Sequence, residues 1–152
     1  MPRAVPQAAL DLVKTSEGFI SERSPDPIGL PTIGYGHKLK QGDPLWDATI
    51  DESHAEALAD DDLERVAIEL TSVLGPSQVS LFTDGQWSAL LDFTFNLGIG
   101  AFEGSTLCAM LKAGHTSTAG AQFERWVYAG NPPQKLPGLV TRRAAEADLW
   151  LS

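Results

Sequence analysis

Three residues in the first quarter of the chain have the types and spacing for cutting a glycosidic bond: Glu17, Asp26 nine positions on, and Thr32 six further. That reaction wants two carboxyls in unlike settings. One keeps its proton for the leaving oxygen, and the other stays ionised beside the sugar. Glu17 continues the spacing of Leu10 and Val13, so it falls on the buried face of a helix, at that helix's C-terminal end. Burial and the helix dipole both disfavour a negative charge there. Asp26 opens Asp26-Pro27-Ile28-Gly29-Leu30-Pro31, whose prolines and glycine dictate an exposed turn. Taken alone, Asp26 reads as an ordinary turn acid and Thr32 as a strand residue.

The elements that must hold these groups follow from periodicity and punctuation. Pro6 to Glu17 reads as a helix stopped by Gly18. Pro25, Pro27 and Pro31 forbid a helix between Phe19 and His37, so turns and a small β-hairpin sheet are expected there, then a loop from Lys38 to Trp46. Asp51 to Leu74 reads as a long helix, with Thr49 and Glu52 at capping-box spacing and Gly75-Pro76 ending it. Its apolar stripe is Ala55, Leu58, Ala59, Leu63, Val66, Leu70, Val73 and Leu74. Further helices are expected from Thr83, capped with Gln86, through Leu97; from Ser105 to Gly114; over Thr118–Trp126; and from Pro137 to Leu151. The expected fold is α+β and mainly helical, one domain over 1–152. A small β-containing lobe (about 15–50) joins a larger helical lobe (76–152) through the helix at 51–75.

Bulk properties narrow the function. A net charge of −9 argues against nucleic acid as a partner, because phosphate binding needs clustered Lys and Arg. The charge is uneven: ten acids lie between Asp43 and Glu69 against Arg65 alone, while five basic residues and three acids follow from Lys112 onward. The acidic run reads as a solvated helix face. The single cysteine, Cys108, sits in an apolar run and excludes an internal disulfide. Cys108, His37, His54 and His115 show no metal-ligand spacing, so neither metal nor cofactor is expected. Met1–Lys14 does not read as a signal peptide, and the longest uncharged run, Leu70–Thr83, is 14 residues, short of a membrane span.

Glu17, Asp26 and Thr32, followed by Ile33-Gly34-Tyr35-Gly36-His37, resemble the catalytic segment of the phage-type lysozymes, glycoside hydrolase family 24. The resemblance runs on through Phe95-Asn96-Leu97-Gly98, Arg125-Trp126, Ala129-Gly130, Gly138-Leu139-Val140 and Arg142-Arg143-Ala144-Ala145-Glu146. It implies a lysozyme-like fold and hydrolysis of peptidoglycan glycan strands. Glu17 then stands as general acid, Asp26 as the carboxylate serving the attacking water or the anomeric carbon, and Thr32 as a residue placing that water. It sets Asn96 and Trp126 along the glycan cleft, brings Arg142 (or else Arg143) to Glu17, and pairs His37 with Asp62 for structure alone. Two departures stand out: Ser24 occupies a place commonly aromatic in the family, and no hydrophobic N-terminal anchor is present. The implied protein is a monomeric endolysin of bacterial peptidoglycan without stable membrane association, made in the host cytoplasm and admitted to the wall by a separate holin-type pore. A non-catalytic glycan binder, a tail-associated lysozyme domain and a lytic transglycosylase are the rival readings. The intact Glu17, Asp26 and Thr32 set speaks against the binder, and a water-placing pair has no task in a transglycosylase.

Overall fold

The computed structural model describes residues 2–152. Helix α1 (Gln7–Glu17) follows Pro6 and buries Ala9, Leu10 and Val13, so Glu17 emerges from the end of an apolar stripe. Gly18 breaks the helix at φ +72°. Strands β1 (Ile20–Pro25), β2 (Pro31–Gly34) and β3 (His37–Lys38) form one antiparallel sheet in that order. Ser24 stands opposite Thr32, and Thr32 opposite Lys38. The turn between β1 and β2 is fastened by Asp26 and completed by Gly29 at φ +90°. Lys38, expected in a loop, belongs to the sheet.

Helix α2 (Glu52–Leu74) runs 23 residues, about 35 Å at 1.5 Å per residue. It buries Ala55, Ala59, Leu63, Val66, Ala67 and Leu70 against the core. Its N-cap is Asp51, whose side chain accepts from the His54 N–H. Thr49, the expected cap, instead donates to Glu22 at 3.0 Å. Asp51 adjoins the first helical turn and reaches its free N–H groups directly, which Thr49 does not.

Four short helices, α3 (Pro76–Leu81), α5 (Ile99–Glu103), α6 (Thr106–Lys112) and α7 (Thr116–Ala119), accompany α4 (Asp84–Leu97), which packs against α1, α2 and α5. Thr83 and Gln86 form the expected reciprocal capping box at the start of α4. Trp87, Ala89, Leu90, Leu91 and Phe93 are wholly buried, as befits a helix apolar on nearly every side. A 3₁₀ turn covers Gly120–Arg125, where a regular helix was expected, and a two-stranded ribbon follows, β4 (Tyr128–Ala129) with β5 (Gln134–Lys135). The chain ends in α8 (Pro137–Trp150), which packs against α4 and α1. Phe93, Phe123 and Trp150 stack edge to face at 5.5–5.6 Å and knit α4, the 3₁₀ turn and α8 together. Among the described residues, no helix is long and apolar enough to cross a membrane.

Candidate active site

A cleft of about 680 Å³ opens between the β1–β2 turn and the helical part of the chain. Ser16, Glu17, Asp26 and Lys38 line it from one side; Phe95, Asn96, Tyr128, Leu139 and Arg142 are among those lining the other.

Glu17 enters this cleft from the end of α1, its side chain one-fifth exposed. Its Oε2 accepts a 2.5 Å hydrogen bond from Arg142 Nη1. On its other side lies Gly36, at φ +73°. A Cβ at Gly36 would stand only 2.6 Å from Glu17 Oε1, so the glycine serves both the turn and the carboxyl's place. The setting is thus more polar than the stripe of Leu10 and Val13 implies, because the last residue of α1 clears the core and meets a cation.

That cation is held from behind. Asp92, fully buried on α4, receives Arg142 Nε at 2.9 Å and Nη2 at 2.7 Å, a two-point clamp. Burial opposes the guanidinium's charge, but Asp92 and Glu17 outweigh it and raise the Arg142 pKa. The next residue of α8, Arg143, donates from Nη2 at 2.9 Å to Glu146 one turn further on, both side chains fully buried. Burial, then the Asp92 carboxyl, push the Glu146 carboxyl well above its usual range. Of the two arginines the sequence leaves open, Arg142 touches Glu17, and Arg143 turns inward.

Asp26 is bound at both oxygens. Oδ1 accepts from the backbone N–H of Ile28 at 3.0 Å and of Leu30 at 2.8 Å, and Oδ2 accepts from Lys38 Nζ at 2.7 Å. Burial alone would raise its pKa; Lys38 and the two backbone groups reverse that and hold the carboxyl below its ordinary value. Asp26 therefore stands ionised in the cleft that Glu17 also lines.

The other expected site residues divide. Asn96 lines the cleft, and its buried Oδ1 has no protein partner. Thr32 is buried, lies outside the cleft lining, and donates its hydroxyl to the Ser24 carbonyl at 3.1 Å, tying β2 to β1 beside the Asp26 turn. Trp126 also lies outside the lining; its ring meets Phe93 edge-on at 5.6 Å and packs on the core. Sequence reading passed over Asp92, Lys38 and Tyr128. An acid within Leu90-Leu91-Asp92-Phe93 was the one signal available for Asp92.

His37 points away from the cleft, its Nδ1 2.8 Å from Asp62 Oδ2, while Asp62 Oδ1 takes Arg65 at 3.1 Å. The hydrogen bond to Asp62 raises the His37 pKa against the effect of burial. A raised folded pKa contributes stability that is complete below about 6.5 and is lost as pH rises through the folded value. His37→Asn should therefore cost on the order of 1 kcal/mol at pH 5.5 and markedly less at pH 9. Urea melts of both proteins at the two pH values check this; a gap independent of pH would deny the ion pair any part in stability.

Comparison with known proteins follows the same lines. The family model described as phage lysozyme matches residues 14–146. The chain is 35% identical over 150 residues to an endolysin of Bacillus phage PZA, covering 97% of this chain and 55% of the relative. It thus spans about half the length of that protein. It is 34% identical to an endolysin of Acyrthosiphon pisum secondary endosymbiont phage 1, covering 97% of this chain and 98% of the relative. Among solved structures, an endolysin from Escherichia coli O157:H7 phage FAHEc1 superposes with a TM-score of 0.84 at 27% identity, over 99% of this chain and 94% of that one.

Proposed function

The chain belongs to the phage lysozyme family, and from that membership we propose that it is an endolysin, a muramidase that hydrolyses the β-1,4 bonds between N-acetylmuramic acid and N-acetylglucosamine in bacterial peptidoglycan and so lyses the host for phage release. The observation that carries this is one cleft holding two carboxyls in unlike surroundings: Glu17 against Arg142 and Gly36, and Asp26 tied down as an anion.

In the proposed reaction Glu17 gives its proton to the glycosidic oxygen as the bond from that oxygen to the anomeric carbon breaks. Water attacks the same carbon from the opposite face, oriented by Asp26, which takes up the proton the water loses. Displacement by water predicts an inverted anomeric centre. Thr32 contributes by pinning β2 to β1, which sets the turn bearing Asp26. Asn96, with an unmet carbonyl oxygen at the cleft wall, is suited to a sugar amide or hydroxyl donor. Arg142 places Glu17, while His37 and Asp62 keep the sheet on α2. The same proposal has the enzyme act as a monomer on the periplasmic wall, reached through a separate holin-type pore.

The test is chemical. Digestion of purified peptidoglycan, with fragment ends weighed by mass spectrometry, should yield reducing muramic acid ends. Anhydro ends would make the enzyme a lytic transglycosylase, and unchanged glycan would make it a binder.

A further inference from the structure

Lys38 is the second and last residue of β3. Strand alternation sends the preceding side chain, His37, to Asp62 on α2, and Lys38 to the opposite face, over the turn that holds Asp26. Its stem is more than half exposed, yet its ammonium lies 2.7 Å from Asp26 Oδ2, and the Asp26 side chain is only 12% exposed. Exposed pairs of this kind contribute little to stability. This one lines the cleft and touches the carboxylate to which water activation has been given.

A carboxylate has about four lone-pair positions. Ile28 and Leu30 take two on Oδ1, and Lys38 takes one on Oδ2, leaving a single acceptor position on Oδ2. We propose that Lys38 is a positioning residue for the reaction: it fixes the Asp26 carboxylate so that its one free acceptor site receives the attacking water, and keeps that oxygen from attacking the sugar itself. The proposal rests on the reading of Asp26 as the water-orienting group. Other charged groups on the surrounding elements are engaged elsewhere. On β1, Glu22 accepts from Thr49, and Arg23 reaches the Trp46 carbonyl and Asp47. On β3, His37 is paired with Asp62. In the same cleft, Glu17 on α1 and Arg142 on α8 hold each other.

The experiment measures kcat and KM on purified peptidoglycan across pH for the wild type, Lys38→Met, Lys38→Arg, Asp26→Asn and the Lys38→Met/Asp26→Asn double variant. Lys38→Met should lower kcat on the order of tenfold or more with KM little changed, as for a misplaced reactant. The acid limb of its kcat/KM profile should move to higher pH, since Asp26 then takes a proton without displacing a cation. Lys38→Arg should recover much of both. In the Asp26→Asn background Lys38→Met should have no further effect. If Lys38→Met raises KM alone, or adds its full cost to Asp26→Asn, the lysine contacts substrate and the proposal falls. It falls equally if Asp26→Asn is inactive while Lys38→Met keeps wild-type kcat and acid limb. Wild-type activity in Asp26→Asn would instead remove the reading of Asp26 on which it rests.

Discussion

Glu17→Gln should abolish lysis while leaving the protein folded. Loss of a general acid costs about 10²–10⁴-fold in turnover, and the amide has no acidic proton to give. The replacement is nearly isosteric, so it fits between Arg142 and Gly36, and its carbonyl oxygen still accepts from Arg142 Nη1. The side chain it replaces is partly open to the cleft, so the cost in stability should be small beside the cost in rate. Release of reducing ends measures the first effect, and a urea melt followed by circular dichroism the second. Turnover within tenfold of wild type would take the acid role away from Glu17. Glu17→Asp supplies a control on distance: it keeps the proton but withdraws the carboxyl by one methylene from both Arg142 and the cleft. It too should lose most activity, for geometry rather than chemistry.

The parts of this protein that were legible in its sequence are those with a local physical signature. Helices α1, α2, α4 and α8 each present several turns of apolar spacing, bounded by prolines, glycines or caps that act over three or four residues. The five-residue α5 and six-residue α3 are too short to complete a readable period, and β4 and β5 show two residues each. Asp51 displaced Thr49 as the cap of α2 because two polar residues competed for one set of N–H groups, and spacing alone does not rank them. Within the site, Glu17 was visible because its oddity is local, an acid ending an apolar stripe; Asp26, an ordinary turn acid taken alone, stood out only beside Glu17 and Thr32. Asp92 and Lys38 were not visible. Their meaning lies in partners 50 and 12 residues away, across a helix packing and across a hairpin. Family resemblance supplied an arginine for Glu17 but left Arg142 and Arg143 both open, and only the packing of α8 on α4 and α1 separates them.

Arg142→Met should be the most damaging substitution to the fold of any in the cleft, and the reason lies in Asp92. Removing the guanidinium strands a carboxylate with no exposure at all, which had both oxygens on that one partner. Breaking a buried pair from one side typically costs about 3–5 kcal/mol, most of it the uncompensated charge left behind. The double variant Arg142→Met/Asp92→Asn leaves no such charge and should recover a large part of that loss, while remaining inactive because Glu17 has lost its anchor. Asp92→Asn alone separates the two roles further. In the wild type, Asp92 grips Arg142 from behind while Glu17 takes its Nη1, so an amide at position 92 should loosen the guanidinium and with it the placing of Glu17. Turnover should therefore fall on the order of tenfold in Asp92→Asn, under conditions where that variant is still folded. Urea melts of the three variants, with kcat of those that turn over, decide the matter. A double variant no more stable than Arg142→Met would show that Asp92 does not answer the charge of Arg142, and wild-type kcat in Asp92→Asn would show that it does not hold the guanidinium for Glu17.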